Sequence, residues 1–407
     1  MNIGILLPSI YASKRYGEGR IFAPLPLAVA LADELVTRGH EVLFYSAAEV
    51  QTKATLIAGN SDLVATDPYY FQFRYREGDE QKYTAFEILK RDFEYDLTER
   101  AYQDAREGKI DIIHSYHDFG AHYFNELTGF PTVYTLHDLL PQLRDTLEYF
   151  RYDRFKHHEY ISISNAQRTS VVPMHFAATI YHGVRLEEYD FHGSSDNHFI
   201  HFGRVMEDKG TDIAIAAAKA VGMPLHIATS NIRGNRSALF YDTKIAPAID
   251  GTSVTLAGYL SGKEKSDFIG NGKAFLLPLR WEEPFGLVMI EAMACGTPVI
   301  AYNRGSVPEI VKDGVTGFII EPPEEDIKLD QKRFNLLASG KKVKPFLGGH
   351  SWIIKKRGIE GMIEAMKRIG EIDRAACRKR VEEKFTVSRM TMDHENLYQK
   401  ILFHSSQ

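Results

Sequence analysis

The apolar positions of the chain fall into short runs, separated by loops and by longer stretches of helical composition. The first unit has an apolar run at 3–7, a loop that contains Gly17 and Gly19, a helical stretch at 25–38 and a second apolar run at 42–45. A strand, a helix and a strand in this order predict a βαβ unit with parallel strands.

The same rhythm continues to residue 181 and starts again at residue 199. A helix is predicted at 211–221, and further buried strands are predicted at 110–113, 132–136, 160–163, 178–181, 199–202, 225–228, 254–257, 274–277, 299–301 and 318–320. The polar stretch at 187–198 predicts a linker. We therefore expect two doubly wound α/β domains of similar size that face each other across a cleft, with ligands beyond the carboxyl ends of the strands.

Composition narrows the class of protein. The 407 residues, 25% charged and 44% hydrophobic, are typical of a globular chain with two or three domains. The net charge of 49 − 54 = −5 argues against a protein whose whole surface binds nucleic acid. Two cysteines exclude a disulfide scaffold and a cysteine-based zinc cluster, so a reducing cytoplasm is expected. The first residues predict a buried strand rather than a signal peptide, and no membrane span is expected.

The segment 281–299, WEEPFGLVMIEAMACGTPV, carries the most chemistry. Pro284 predicts a first helical turn, and Gly296 and Pro298 predict the end of that helix. The helix is almost wholly apolar, and its one charge is Glu291. A buried carboxylate is costly unless it is paired or hydrogen-bonded. Its partners are either the hydroxyl groups of a ligand or a structural arginine, and the residues alone leave both open.

The start of this helix offers groups that suit a phosphate. Backbone N–H groups in a first helical turn point at an anion, and the helix dipole favours negative charge there. The residues in this position are Phe285, Gly286 and Leu287, and Glu283 lies just before them, eight positions from Glu291. The two carboxylates are therefore predicted to hold one ligand at two points.

A second charged loop, FGRVMEDKG at 202–210, follows the first predicted strand of the second domain. Arg204 and Lys209 are suited to neutralise a diphosphate, and Gly210 is expected to leave room for its approach. Taken alone, the two cations are better explained as solvated surface groups. Their place between a strand and a helix, together with the helix start near Pro284, favours the phosphate site.

Two further features bear on the cleft. The loop YGEG at 16–19 lacks a dinucleotide fingerprint because Phe22 stands where a third glycine is needed, so a nicotinamide site is disfavoured. His137 follows a predicted strand and is expected to face the cleft. His114 and His117 have the spacing His-x-x-His, but on a strand and a loop that spacing is weak evidence for a metal. No metal ligand is predicted.

Together and in this order, the segments resemble the retaining glycosyltransferases of family 4, which have the GT-B fold. The resemblance covers nearly the whole chain. Its strongest parts are the E-x7-E motif from Glu283 to Glu291 and the segment GRVMEDKG at 203–210. The other similar segments are RGHEV at 38–42, TLHD at 135–138, ISISNAQR at 161–168 and GSVPEIVKDGVTGF at 305–318.

The resemblance implies a Rossmann-like acceptor-binding domain at 1–190, a Rossmann-like nucleotide-sugar-binding domain at 191–390, and a C-terminal helix at 391–407 that packs on the first domain. It implies transfer of a hexose from a nucleotide-diphosphate sugar, with UDP or GDP as the leaving group, to a hydroxyl of a saccharide, a glycolipid or a small molecule. The anomeric configuration would be retained, without a metal or a cofactor. No nucleic-acid partner is expected.

The resemblance also implies roles for single residues. The diphosphate would contact Arg204, Lys209 and the backbone N–H groups of Phe285, Gly286 and Leu287. The ribose hydroxyls would bind Glu291, the transferred sugar would lie beside Glu283 and His137, and the loop with Gly17 and Gly19 would lie between donor and acceptor. His137, Glu283, Arg204 and Lys209 are the predicted catalytic residues.

Three features depart from the family. The loop YGEG at 16–19 separates its glycines where the family commonly has two adjacent ones, which bears on the loop geometry and the acceptor contacts. His182 stands in a Tyr-His-Gly segment where the family often has asparagine. An insertion at about 322–357 contains the stretch 328–357, which has nine basic residues and one acid, a balance of 9 − 1 = +8. A peripheral contact with the inner face of a membrane or with a charged acceptor would explain it. A solvated surface flap explains it as well, and we favour the flap.

Other functions on the same residues stay open. A sugar-nucleotide epimerase or a phosphorylase can use this fold, and a non-catalytic sugar- or nucleotide-binding protein can share its architecture. The sequence does not identify the donor, the acceptor or the linkage. The aromatic residues at 69–75 suit stacking on a sugar acceptor, but a small satellite core explains them better.

Overall fold

The computed structural model describes residues 1–17, 22–60, 80–116, 119–144, 146–229, 235–328 and 351–405. These residues build two parallel β-sheets. The first sheet has seven strands: β1 (Asn2–Leu6), β2 (Glu41–Ser46), β3 (Thr55–Ala58), β4 (Ile112–Ser115), β5 (Thr132–Thr135), β6 (Glu159–Ser162) and β7 (Phe176–Thr179). The second has six: β8 (Phe199–Phe202), β9 (Leu225–Ala228), β10 (Val254–Gly258), β11 (Phe275–Leu277), β12 (Val299–Tyr302) and β13 (Gly317–Ile320).

Helices connect most of these strands. In the described parts of the chain they are α1 (Lys14–Gly17), α2 (Pro24–Thr37), α3 (Glu80–Arg106), α4 (Gly120–Thr128), α5 (Leu147–Phe155), α6 (Thr211–Val221), α7 (Asn235–Phe240), α8 (Gly262–Asn271), α9 (Leu287–Ala294), α10 (Val307–Ile310), α11 (Gly358–Arg368), α12 (Arg374–Lys384) and α13 (Val387–Ser405). A membrane-spanning helix is not found among them, because none combines enough length with enough apolar character.

The strand order makes both sheets doubly wound. The first runs β3-β2-β1-β4-β5-β6-β7 and the second β10-β9-β8-β11-β12-β13, and every neighbouring pair is parallel. The order reverses between β1 and β4 in one sheet and between β8 and β11 in the other. Ligands of such sheets bind at these reversals, outside the carboxyl ends of the strands. The predicted fold class, two Rossmann-like sheets, is confirmed.

The strands follow from their composition. Most are continuous apolar or β-branched runs that are buried on both faces, as parallel strands covered by helices must be. One strand and one long helix had no sequence prediction. β3 is half exposed and only four residues long. α3 shows few apolar positions, but Phe93, Leu97 and Ala101 are fully buried at a spacing of four residues, which places one helix face on the first core.

The chain returns to the first sheet near its C-terminus. Phe385 belongs to the core of the second sheet, whereas Met390 and Tyr398 of α13 belong to the core of the first. At the crossing, the N–H of Val184 donates to Phe385 O (2.9 Å), and the N–H of Val387 donates to Val184 O (3.2 Å). The helix thus starts at Val387, four residues before the predicted 391. The domain boundaries at 190 and 390 stay predictions.

Candidate functional site

The two charged loops of the second sheet meet because their strands are neighbours. Lys209 follows β8 and Glu283 follows β11, and Lys209 Nζ donates to Glu283 Oε2 at 2.5 Å. Trp281 Nε1 donates to the same oxygen at 3.1 Å, and Lys209 Nζ lies 4.5 Å from the centre of the Trp281 ring. Glu283 is only 8% exposed. Its Oε1 accepts no hydrogen bond from the described residues, so one oxygen stays available to a ligand.

Close backbone packing holds these loops together. Gly210 has φ = +69°, and a Cβ there would lie 2.0 Å from Pro278 O. The expectation that Gly210 leaves room for a phosphate is therefore wrong, because the carbonyl of the neighbouring loop fills that space. Arg280 adds a fork of two hydrogen bonds to the carboxylate of Asp212, at 2.8 and 2.7 Å. Bidentate pairs of this kind fix geometry as well as charge.

Arg204 differs from Lys209 in its surroundings. It is exposed, and it forms neither a hydrogen bond nor an ion pair with any residue that the structure describes. Gly203 before it has φ = +134°, and no atom lies within 4 Å of a Cβ built there. The guanidinium, five residues before Lys209 in the same loop, is therefore available to an anion.

The predicted helix after this loop starts later than expected. α9 begins at Leu287, so Pro284 precedes the helix and the prediction that it stands in the first turn is wrong. Gly286 is the N-cap with φ = +81°, and no side chain caps the helix. A Cβ at Gly286 would lie 2.6 Å from the side chain of Met289. The first N–H groups of α9 thus lack a side-chain acceptor, which suits a phosphate oxygen.

Two hydroxyls hold the Glu283–Phe285 loop from opposite sides. Ser306 Oγ donates to Phe285 O at 2.6 Å, and the Ser306 N–H donates to Glu283 O at 2.9 Å. Ser164, which follows β6 of the first sheet, donates through Oγ to Pro284 O at 2.6 Å. The loop is fixed before any ligand arrives, which lowers the cost of binding.

Glu291 lies on α9, is 9% exposed and has two partners that the sequence did not predict. Its Oε1 accepts hydrogen bonds from Lys265 Nζ at 2.7 Å and from Tyr189 Oη at 3.0 Å. The cation is a lysine and not the structural arginine that stayed open above. Burial and the Glu291 charge raise the pKa of Tyr189, so the phenol stays a donor. Among the described residues nothing donates to Oε2, which is therefore available to a ligand.

His137 stands in a column of stacked rings on the first-sheet side. It lies two residues beyond the end of β5, with its ring 5.2 Å from Tyr116 on one side and 5.2 Å from His182 on the other. Burial lowers the pKa of His137 to about 4, so the ring is neutral at pH 7. His137 Nε2 is buried and has no hydrogen-bond partner in the described chain. His182 continues the column by placing its ring 4.9 Å from Phe285, edge to face.

The other predicted positions have mixed outcomes. His114 is no metal ligand, because Nδ1 lies 2.6 Å from Tyr398 Oη and Nε2 lies 2.6 Å from Thr135 Oγ1, so both ring nitrogens are occupied. Gly17 ends α1, and a Cβ there would lie 2.4 Å from Tyr11 O. Gly19, His117, the aromatic residues at 69–75 and most of the basic stretch, 329–350, lie outside the described residues.

The ends of the basic stretch belong to the folded surface. Lys328 pairs with Glu324 at 2.9 Å. Trp352 Nε1 donates to Glu321 Oε1 at 2.7 Å, and Ile354 is 1% exposed in the core of the second sheet. These apolar side chains therefore pack against the protein itself.

Two family models match the chain. Residues 27–188 match the model described as "Glycosyltransferase Family 4", and residues 189–346 match "Glycosyl transferases group 1". An uncharacterised glycosyltransferase of Methanocaldococcus jannaschii is 29% identical over 231 residues, which cover 52% of this chain and 61% of that protein. The chain spans between 25% and 61% of the length of three curated relatives that it matches.

Solved structures share the fold along the whole chain. Sucrose-phosphate synthase from Thermosynechococcus elongatus has a TM-score of 0.68 at 17% identity, with 99% of each chain covered. Anabaena HepE, solved in complex with UDP and glucose, has a TM-score of 0.62 at 16% identity, with 98% of this chain and 100% of that chain covered. Identities this low speak for the fold alone. With both family models matched in sequence order and the two doubly wound sheets in place, the chain belongs to the family 4 glycosyltransferases of the GT-B fold.

Proposed function

We propose that this protein transfers a hexose from a nucleoside-diphosphate sugar to a hydroxyl acceptor, with retention of the anomeric configuration and without a metal in the reaction. The observation that carries the proposal is the Lys209–Glu283 pair at 2.5 Å, together with the exposed Arg204 of the same loop, which no described residue binds, and the uncapped start of α9. These groups offer positive charge and hydrogen-bond donors to a diphosphate, and a carboxylate to the sugar attached to it.

Charge on the leaving group dominates the barrier of such a transfer. As the bond between the anomeric carbon and the phosphate oxygen breaks, negative charge grows on the nucleoside diphosphate. Fixed cations and helix N–H groups aimed at that charge stabilise the transition state most when they are held in place beforehand. Lys209 is held by Glu283, and the loop that leads into α9 is held by Ser306 and Ser164.

The neutral His137 and the second oxygen of Glu283 suit the sugar. His137 Nε2 is buried and unpartnered among the described residues, and Glu283 Oε1 is equally available, so each can bind a sugar hydroxyl. We propose that the acceptor oxygen attacks the anomeric carbon from the face that the phosphate leaves. The new C–O bond then forms as the old one breaks, and the acceptor proton passes to a phosphate oxygen. Glu291 Oε2 would bind the ribose hydroxyls.

The relatives support a nucleotide-sugar donor. HepE binds UDP and glucose in its solved complex, and the sucrose-phosphate synthase shares the fold along its whole length. The base is not assigned by these likenesses. A uridine or a guanosine nucleotide is the proposal that follows from the family resemblance.

A thermal-shift panel with UDP, GDP and ADP, each with and without EDTA, tests the donor site. A ligand at a hundred times its dissociation constant stabilises a fold by about 2.7 kcal/mol, so we expect one nucleotide to raise the melting temperature with EDTA present. An Arg204→Ala variant should lose most of this shift. The exposed Arg106→Ala variant, on α3 of the first sheet, is the matched control and should keep it.

The reaction itself needs a second readout. With the selected sugar nucleotide and a mixture of simple glycosides, NMR should show a new glycosidic bond with the donor's anomeric configuration, in buffer that contains EDTA. Isomerisation of the donor without an acceptor would instead identify an epimerase. Loss of transfer on adding EDTA, restored by a divalent metal, would overturn the metal-independent mechanism.

A further inference from the structure

A cluster of histidine and carboxylate lies far from the cleft, at the opposite edge of the first sheet. Glu126 is on α4, and His157 and His158 follow α5. A cavity of about 540 Å³ beside the two histidines is lined by the first residues of three strands, Thr132, Glu159 and Phe176 of β5, β6 and β7. The cluster therefore lies at the amino ends of the strands, whereas the donor groups lie at the carboxyl ends.

The three side chains converge on one point. Glu126 Oε1 lies 2.7 Å from His157 Nε2 and 2.9 Å from His158 Nε2, and all three donor atoms lie within 4.8 Å of one another. Zinc bound at about 2.0–2.2 Å to nitrogen and oxygen in a tetrahedral site separates its ligand atoms by about 3.4 Å. Small side-chain rotations are enough to reach that spacing, because the side chains of His157 and Glu126 are 62% and 40% exposed.

A buried neighbour supports one of the histidines from behind. His158 Nδ1 lies 2.8 Å from His122 Nδ1, and His122 is 1% exposed. When His158 donates its Nδ1–H to His122, the lone pair of Nε2 points into the cluster. Metal-binding histidines characteristically donate their other ring N–H to a fixed partner in this way. The side chain of His158 is itself only 6% exposed, so its ring orientation is set by packing.

We propose that Glu126, His157 and His158 bind one zinc ion, with a fourth position left to water on the side of the cavity. Two imidazoles and one carboxylate are a common three-ligand set for zinc with an open fourth position. The ion would tie α4 to the segment between α5 and β6. It would take no part in transfer, since the cluster lies at the sheet edge opposite the donor groups.

Metal binding by the full, tag-free chain tests this site. Zinc is titrated against a chromophoric chelator, and cobalt replaces zinc so that its visible absorption reports four-coordinate geometry. We expect one tightly bound equivalent and a zinc-dependent rise of the melting temperature. His157→Ala and Glu126→Gln should each weaken zinc binding by 10-fold or more, and both side chains are exposed enough for the variants to fold.

His175→Gln is the matched control, because His175 Nε2 pairs with Glu159 Oε2 at 3.1 Å on the same cavity and is 57% exposed. Its zinc affinity should equal that of the unchanged protein. An unchanged protein that binds no zinc, or a bound equivalent that survives His157→Ala and Glu126→Gln, would overturn the proposal. So would loss of the equivalent in His175→Gln. Transfer activity should persist in all three variants, which separates this test from that of the proposed function.

Discussion

The side chains gathered beside the two sheets are of opposite kinds. Beside the second sheet, Lys209 pairs with Glu283 and Lys265 pairs with Glu291. One ion pair thus lies just before α9 and the other in the middle of it. On the first sheet, neutral rings of His114, Tyr116, His137, His182 and His394 lie one on another. In the proposed reaction, fixed positive charge stabilises the transition state where the leaving anion forms.

The two groups of side chains also differ in whether a carboxylate lies within hydrogen-bonding distance. Lys209 and Lys265, beside the second sheet, each have a carboxylate partner within hydrogen-bonding distance. The stacked histidines His114, His137, His182 and His394 have no carboxylate partner among the described residues, and burial lowers the pKa of His137 and of His394 to about 4. Desolvation penalises the charged form wherever no opposite charge compensates it.

The largest expected effect comes from removing a charge on the second sheet. Lys209→Ala should lower kcat/KM for transfer by about 10²- to 10³-fold, the range seen when one fixed group that stabilises transition-state charge is deleted. Steady-state kinetics with the donor measure it, and circular dichroism checks the fold. Lys219→Ala, an exposed lysine on α6, should change kcat/KM less than 2-fold. Equal kcat/KM values for the two variants would contradict the proposal that Lys209 stabilises charge on the leaving group.

A smaller loss is expected at Glu291, which in the proposed mechanism binds the ribose and does not contact the phosphate where the charge grows. Glu291→Gln should raise KM for the donor by about 10- to 100-fold, because one hydrogen bond to a charged group contributes about 1.5–3 kcal/mol. It should leave kcat nearly unchanged, since the lost contact holds the ground state and the transition state alike. The exposed Glu264→Gln on α8 is the control. A loss confined to kcat would place Glu291 at the reacting centre instead.

The lowered pKa values of the buried histidines should make the free energy of unfolding depend on pH. His394 has a pKa of about 4 when folded and about 6.5 when unfolded, so the unfolded chain binds the extra proton between these values. The free energy of unfolding is then constant above pH 7 and falls as the pH drops from 6.5 towards 4. At pH 5 this group alone costs about 2 kcal/mol, about thirtyfold in the unfolding equilibrium.

Urea denaturation at pH 7.5 and 5.0 measures the difference. His394→Phe should make the two midpoints more similar, because the depressed group is gone. The exposed His404→Gln should leave the difference unchanged. If His394→Phe has the same pH dependence as the unchanged chain, then His394 is not held neutral by the fold.

The smallest effect is expected from the ring beside His137. His182→Ala removes the stacked neighbour at 5.2 Å, and aromatic pairs contribute about 0.5–1.5 kcal/mol. We expect a fall in kcat of about 3- to 10-fold with KM for the donor unchanged, and substantial recovery in His182→Phe, which restores a stacking ring. If the phenylalanine variant is as slow as the alanine variant, the stack does not position His137.

Much of this arrangement was readable in the residues, and the failures have physical causes. The strand-loop-helix rhythm predicted both parallel sheets, and the positions of Arg204, Lys209, Glu283 and Glu291 predicted that they follow or flank strands of the same sheet. The helix was predicted to start too early, at Pro284, because a proline suits a first turn and an extended loop equally well. The prediction that Gly210 leaves room for a phosphate was wrong, because only the folded chain shows that Pro278 O approaches it.

The hydrogen-bond partners of Glu291 could not be predicted from any local sequence pattern. Tyr189 is 102 residues from Glu291, and Lys265 is 26 residues away. A lysine on an exposed helix face gives no sign in the sequence that it will pair with a buried carboxylate. In the sequence, His182 is only a departure from a family motif. The structure shows that its ring packs between His137 and Phe285.

The amino-acid sequence by itself determined the two-sheet class of this protein, the family motifs and the presence of a buried carboxylate that needs partners. These depend on periodicity and on the cost of burying charge, which act within a few residues. Only the tertiary structure decided which cation meets which carboxylate, which rings stack and which polar atoms stay available to a ligand. Those outcomes depend on how neighbouring strands bring distant loops to one edge, and that is a property of the assembled sheets.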